Sequence, residues 1–176
     1  MMGPNAWLVA EELTADLSLK KGMRVLDLGC GRGLTSVFLA EKFGVQVFAV
    51  DLWTSATENY DRFKQAGVSD LIVPLQIDAL QLSFAEDFFD AVVSVDAYHY
   101  FGNNDTYFEK VLKPILKKEA VVAIAFRGMK YEVHDNIPEE MKPLWKTGMH
   151  LKSSLSFTLI VSQMWLAIFI FVLDII

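Results

Sequence analysis

The sequence predicts an α/β fold: one domain built on a mostly parallel sheet, with helices on both faces in a three-layer sandwich. Five short apolar runs alternate with segments of helical periodicity, the pattern of strands joined by crossover helices. Four of these runs reach an aspartate at or just past their carboxyl end: Asp27, Asp51, Asp78 and Asp96. The first run also leads through Val25-Leu26-Asp27-Leu28-Gly29-Cys30-Gly31-Arg32-Gly33 straight into an apolar-periodic segment. That is a buried strand, a tight turn and a helix start, where backbone comes close to a ligand without a Cβ in the way.

The elements follow in order. Ala6 to Leu17 carries Trp7, Leu8, Ala10, Leu13 and Leu17 at helical spacing, with Glu11, Glu12 and Asp16 for the other face. Lys20-Lys21-Gly22 ends it before a strand at about Arg24 to Leu28. A helix is expected from Leu34 to Phe43, closed by Gly44. Val45 to Val50 is a second strand, ending at Asp51. Ser55 with Glu58 has the spacing of a capping box, opening a helix that runs to about Ala66 and stops at Gly67. Leu71 to Ile77 and Phe89 to Val95 are the third and fourth strands, and Ala120 to Phe126 is the fifth. Thr106 to Leu112 is a short helix between the last two. Parallel strands put all four acids at one edge of the sheet, where open α/β sheets bind ligands.

Composition narrows the function. With 176 residues the chain can bury a sizeable core, and 53% hydrophobic with 22% charged residues reads as globular. A net charge of −6 without any basic run argues against a nucleic-acid surface. The single cysteine, Cys30, cannot form an intrachain disulfide and fits a reducing cytosol. Met-Met-Gly-Pro-Asn has neither a basic nor an apolar signal region, so a cytoplasmic location is expected.

A dinucleotide fingerprint needs Gly-x-Gly-x-x-Gly. Gly29 and Gly31 fill its first two places, but the third falls on Leu34. Asp27 beneath the loop also suits a pyrophosphate poorly, whereas a ligand with an ammonium or sulfonium charge gains from it.

These residues together resemble the class I S-adenosylmethionine-dependent methyltransferases. Val25 to Gly33 looks like the family's first motif, and the resemblance runs from about Gly3 to Phe126. Val47-Phe-Ala-Val-Asp51, Ile77-Asp78-Ala79 and Phe89 to Asp96 fall where the later motifs stand. The similarity is greatest to the small-molecule branch, including members with a segment like Asp96-Ala-Tyr-His-Tyr-Phe101. It implies a Rossmann-like sandwich, S-adenosyl-L-methionine as cofactor, and a small-molecule methyl acceptor.

By that resemblance, Gly29, Gly31 and Gly33 would lie against the methionyl part, and Asp27 would order the loop and help hold its ammonium. Asp51 would accept both ribose hydroxyls. Leu52 or Trp53 would cover an adenine face, although Trp53 could equally be core or a substrate wall. Asp78 would accept from the exocyclic amine of adenine and the Ala79 amide would serve the ring. Asp96 completes the cofactor edge. Candidate catalytic residues are His99, which has a suitable ionisation range for a general base, and Tyr98, with Tyr98 and Tyr100 as orienting groups. Asn5, Trp7 and Glu11 are further candidates for lining the site. Cys30 reads as a small filler in the turn.

The chain lacks the Asn/Asp-Pro-Pro-Tyr/Phe signature of transfer to planar amino groups. His99, His134 and His150 have no compact metal-ligand spacing. Val133 to Trp145 still resembles a family connection toward the substrate side, and the resemblance stops there. The chain is accordingly divided into residues 1–150, the cofactor-binding domain, and residues 151–176, a hydrophobic tail. Ser153 to Leu173 carries no charge. Three readings of that tail compete. It is a membrane segment with Lys142, Lys146 and Lys152 on its near side, an edge strand over Leu155 to Ser162, or a non-native remnant. The last two strands are then missing or altered, membrane contact arises only through the tail, and the oligomeric state is left open. Two rival functions follow: a domain that binds cofactor or a partner without turnover, and, less favoured, a nicotinamide-dependent oxidoreductase.

Overall fold

The structure is a computed structural model that describes residues 5–102, 106–128, 160–161 and 167–174. Its elements are α1 (Ala6–Leu13), β1 (Arg24–Leu28), α2 (Leu34–Phe43), β2 (Gln46–Asp51), α3 (Ala56–Gln65), β3 (Ile72–Gln76), β4 (Phe89–Val95), β5 (Leu116–Gly128), β6 (Ile160–Val161) and β7 (Ala167–Asp174). They form a seven-stranded sheet in the order β3-β2-β1-β4-β5-β7-β6. β1 to β5 pair in parallel, and β7 lies antiparallel between β5 and β6.

Alternation along the strands builds two cores. Val25, Val47, Ala91, Val93 and Ala123 meet α1, α2 and α3 through Val9, Leu13, Phe38, Leu39 and Phe63. Leu26, Leu28, Val50, Val92 and Val122 face the other way, onto Tyr98, Tyr107, Phe108 and Leu112. Each such valine, leucine or phenylalanine, fully buried, contributes roughly 1.5–3 kcal/mol. Asp27 belongs to the α1–α2–α3 face, because it stands two residues from Val25 along the strand.

The helix of Leu34 to Phe43 has the expected ends, with Gly44 in the left-handed conformation at its close (φ +64°). Ser55 caps α3 by accepting from the Glu58 amide. α1 is shorter than its periodicity predicts. The Thr14 hydroxyl donates back to the Ala10 carbonyl at 2.7 Å, and the chain continues in turns to Leu17. The expected helix of Thr106 to Leu112 is one wide π turn over Phe108–Leu112, then a 3₁₀ turn over Lys113–Ile115 that contains Pro114.

Both closing strands are present, β6 with two residues and β7 with eight. An unbroken apolar run is consistent with a strand flanked on both sides, as β7 is, and periodicity alone cannot tell that from a helix. Among the described residues, no helix is long and apolar enough to cross a membrane. Of Leu155 to Ser162, only Ile160 and Val161 are described. Val133 to Trp145, His134, His150, Lys142, Lys146 and Lys152 lie outside the described residues.

Candidate functional site

β1 lies between β2 and β4, where the strand order reverses, and open α/β sheets bind ligands at the carboxyl ends of the strands at such a point. The chain leaves β1 through Gly29 (φ +79°), Gly31 (φ +53°) and Gly33 (φ +78°), all left-handed. Gly29 and Cys30 both donate their amides to the Val50 carbonyl at 2.9 Å, which ties the loop to β2.

The three glycines have different reasons to be glycine. A Cβ on Gly29 would stand 2.3 Å from the Ala97 Cβ, and one on Gly33 would stand 2.4 Å from the Phe63 ring. A Cβ on Gly31 would meet nothing within 4 Å. Gly29 and Gly33 therefore admit close packing of neighbouring side chains, while Gly31 is the loop glycine that faces open space. The sequence treated all three alike; the partners that separate them lie far along the chain.

Two buried acids flank the loop. Asp27 is 1% exposed, and the Ser36 hydroxyl from the first turn of α2 donates to it at 2.6 Å. Burial pushes its carboxyl up to about 7, against the Ser36 hydrogen bond and with help from the nearby Asp51 charge. Asp51, at the end of β2, accepts three amides: Trp53 at 2.9 Å and Thr54 at 2.8 Å on Oδ1, and Gly31 at 2.9 Å on Oδ2. A carboxylate has about four acceptor positions, so Oδ2 retains one.

Beyond Asp51, Leu52 and Trp53 are 47% and 74% exposed. The Trp53 ring meets the ring of Tyr100, itself 62% exposed, edge-on at 5.8 Å. Asp78 caps the turn Ala79–Gln81 by accepting from the Leu80 amide at 2.9 Å. The Ala79 carbonyl is held by the Tyr107 hydroxyl at 2.9 Å. Asp96 has a left-handed backbone (φ +54°), which turns the chain out of β4 into the Tyr98–Tyr100 turn. The Ser94 hydroxyl donates to the Leu28 carbonyl at 2.8 Å and fastens β4 to the end of β1.

The segment after β4 divides by burial. Tyr98 is 6% exposed, packed against Phe101 and Tyr107, and burial pushes its hydroxyl up to about 12. It therefore stays protonated at neutral pH, and the exposed tyrosine of this segment is Tyr100. His99 is half-buried with its ring 4.1 Å from that of Tyr100. Cys30 is 8% exposed, and burial, aided by Asp27 and Asp51, pushes its thiol up, which disfavours the reactive thiolate.

The N-terminal candidates each have a partner on α1 or α2. Asn5 caps α1 by accepting from the Trp7 and Leu8 amides. Trp7 packs edge-on against Phe38 at 5.0 Å, and Glu11 pairs with Lys42 at 3.6 Å, both of them on α2. Among the described residues, no group of three or more His, Cys, Asp or Glu side chains has the geometry to hold a metal ion. Two participants escaped the sequence reading, Ser36 and Asn59. The Asn59 amide reaches the Gly31 carbonyl from α3 at 2.9 Å, and no local pattern marks either residue.

A family model described as a methyltransferase domain matches residues 25–118, more than half of the chain. This chain belongs to that methyltransferase-domain family. The domain is 28% identical over 118 residues to methyltransferase GfsG of Streptomyces halstedii, covering 66% of this chain and 42% of that protein. It is 36% identical over 116 residues to the cyclopropane-fatty-acyl-phospholipid synthase of Escherichia coli, covering 65% of this chain and 28% of that one. The methyltransferase domain thus spans less than half the length of these relatives. Among solved structures, it superposes on a putative sarcosine dimethylglycine methyltransferase from Galdieria sulphuraria with a TM-score of 0.60 at 26% identity, over 68% of this chain and 45% of that one. The geranyl diphosphate C-methyltransferase from Streptomyces coelicolor, solved with S-adenosyl-L-homocysteine, matches with a TM-score of 0.66 at 19% identity, over 78% and 50% of the two chains. That likeness speaks to the fold alone.

Proposed function

We propose that this chain binds S-adenosylmethionine at the carboxyl edge of β1, β2 and β3 and transfers its methyl group to a small-molecule acceptor. The observation that carries the reading is Gly31, whose open side lies in the loop flanked by two buried acids, at the carboxyl edge where the strand order reverses. The donors and acceptors there suit the cofactor: a loop backbone without a Cβ for the methionyl part, carboxylates for its cationic end, and an acceptor position left on Asp51 for a ribose hydroxyl. When bound, the cofactor supplies an electrophilic sulfonium methyl.

The chain's own residues then have separate tasks. Asp27, ionised by a neighbouring cation, offsets the charge of the methionyl ammonium. Asp51 takes a ribose hydroxyl at the acceptor position left on Oδ2 and keeps its bond to the Gly31 amide. Leu52 and Trp53 offer exposed apolar surface for one adenine face, and Asp78 and Ala79 present its polar partners. Asp96 bends the chain so that His99 and Tyr100 stand over the mouth. His99 removes a proton from an acceptor that carries one, and Tyr100 with Trp53 walls the acceptor against water. Tyr98 supports that turn from behind.

Calorimetry with S-adenosylmethionine, S-adenosylhomocysteine and NAD tests this reading. Binding of both sulfur compounds is expected. Binding of NAD alone would refute it. A labelled methyl donor incubated with a metabolite extract then identifies the acceptor class.

A further inference from the structure

Gly29 is wedged against Ala97 and Gly33 against Phe63, so packing fixes both. Gly31 has no such neighbour, yet glycine has the largest conformational freedom of any residue. Its two flanking peptide planes are instead held by side chains. The Gly31 amide donates to Asp51 Oδ2 at 2.9 Å, and the Gly31 carbonyl accepts from Asn59 Nδ2 at 2.9 Å. Rotation of those planes is what φ and ψ at Gly31 mean, so the pair restrains both angles, the first together with the turn bond from the Gly33 amide to the Cys30 carbonyl at 2.9 Å.

Asn59 is built for that part. It is 2% exposed, and α3 carries it to the loop. Its orientation is determined chemically: Arg62, which has donors only, gives Nη1 to Asn59 Oδ1 at 2.8 Å. The amide nitrogen must therefore point at the Gly31 carbonyl, with a weaker contact to the Cys30 sulfur at 3.6 Å. Arg62 is in turn paired with Glu58 at 3.6 Å near the surface. A chain of four side-chain and backbone groups thus runs from the outside of α3 to the one loop glycine that faces open space.

We infer that Asn59 is a positioning residue for the cofactor loop: with Asp51 it clamps Gly31 in the binding conformation before any ligand arrives. This rests on the cofactor reading above, and the gain to binding is preorganisation, since the loop need not be ordered at association.

The test uses the full chain. In the ligand-free wild type, the backbone order parameter of the Gly31 amide is expected near ~0.85, as for rigid backbone. A value below ~0.6, the range of flexible backbone, overturns the clamp whatever any variant does. Asn59→Leu removes the donor at similar volume, and Asn59→Asp turns it into an acceptor while keeping a partner for Arg62. Both are expected to weaken S-adenosylhomocysteine by about tenfold, the scale of one lost buried hydrogen bond. They should also speed hydrogen exchange at Gly31 by a similar factor while the amides of β1 and β4 keep their protection. A merely structural role would lower protection throughout instead. If the wild type binds S-adenosylhomocysteine and both folded variants bind it equally well, the inference falls and the cofactor reading stands. If the wild type itself does not bind, the cofactor reading falls and takes this role of Asn59 with it.

Discussion

Alanine at each loop glycine separates packing from binding. At Gly31, with φ +53°, a left-handed alanine costs about 1–2 kcal/mol. The stiffer unfolded chain returns about 0.4–1 kcal/mol, and the new methyl meets nothing. Gly31→Ala should therefore lose only about 1 kcal/mol, a drop of about 2–4 °C in Tm for a chain of this size. At Gly33, with φ +78°, the same backbone cost applies, and the methyl would stand 2.4 Å from the ring of Phe63. That ring is fully buried, so it cannot step aside, and overpacking adds about 1–3 kcal/mol. Gly33→Ala should thus lose about 2–4 kcal/mol in total, and Gly29→Ala, 2.3 Å from Ala97, a similar amount. Binding should show the reverse order: Gly31→Ala fills the space assigned to the cofactor and weakens S-adenosylhomocysteine by at least about tenfold. Thermal denaturation followed by circular dichroism gives the first ranking, and calorimetry below the transition gives the second. Equal destabilisation of Gly31→Ala and Gly33→Ala would refute the packing argument, and wild-type affinity in Gly31→Ala would refute the site.

Four further outcomes are expected. The carboxyl of Asp27 is raised by burial from 3.8 to about 7, so the folded state holds its proton more tightly than the unfolded chain does. Its contribution is complete below pH ~4 and declines by about 1.4 kcal/mol per pH unit until pH ~7. In ligand-free protein, denaturant titrations across that window should show this component in the wild type and not in Asp27→Asn; parallel curves would disprove it. Asp51→Ala should weaken S-adenosylhomocysteine by about 1–3 kcal/mol, and unchanged affinity in calorimetry would remove the ribose assignment. After β4, Tyr98→Ala should cost about 3–5 kcal/mol of stability, while Tyr100→Ala stays within about 0.5 kcal/mol; the opposite order in urea unfolding would contradict the burial seen. With an acceptor in hand, His99→Ala should slow turnover and leave cofactor affinity intact, and a normal rate would exclude the base role.

Much of the cofactor edge could be read from the residues. Asp27, Asp51, Asp78 and Asp96 each follow an apolar run, and a parallel sheet sends all such ends to one side. The bounds of Leu34 to Phe43 were legible because Gly33 and Gly44 mark them. The end of α1 was not, because the side chain of Thr14 turns back onto the helix where apolar spacing continues to Leu17. Nor was the role of Tyr98, since Tyr98 and Tyr100 alternate in sequence but only one is packed against Tyr107. The charge-free stretch after Ser153 left strand and helix open, because an unbroken apolar run satisfies both; pairing with β5 made residues Ala167–Asp174 a strand.

The sequence by itself determined the alternation of strands and helices, the edge where the acids gather, and the glycine turn between Asp27 and α2, because periodicity and turn chemistry are local. Tertiary structure decided what each glycine is for. Phe63, Ala97, Asp51 and Asn59 come to that turn from other elements, and a contact between distant residues exists only once the sheet and its covering helices have packed.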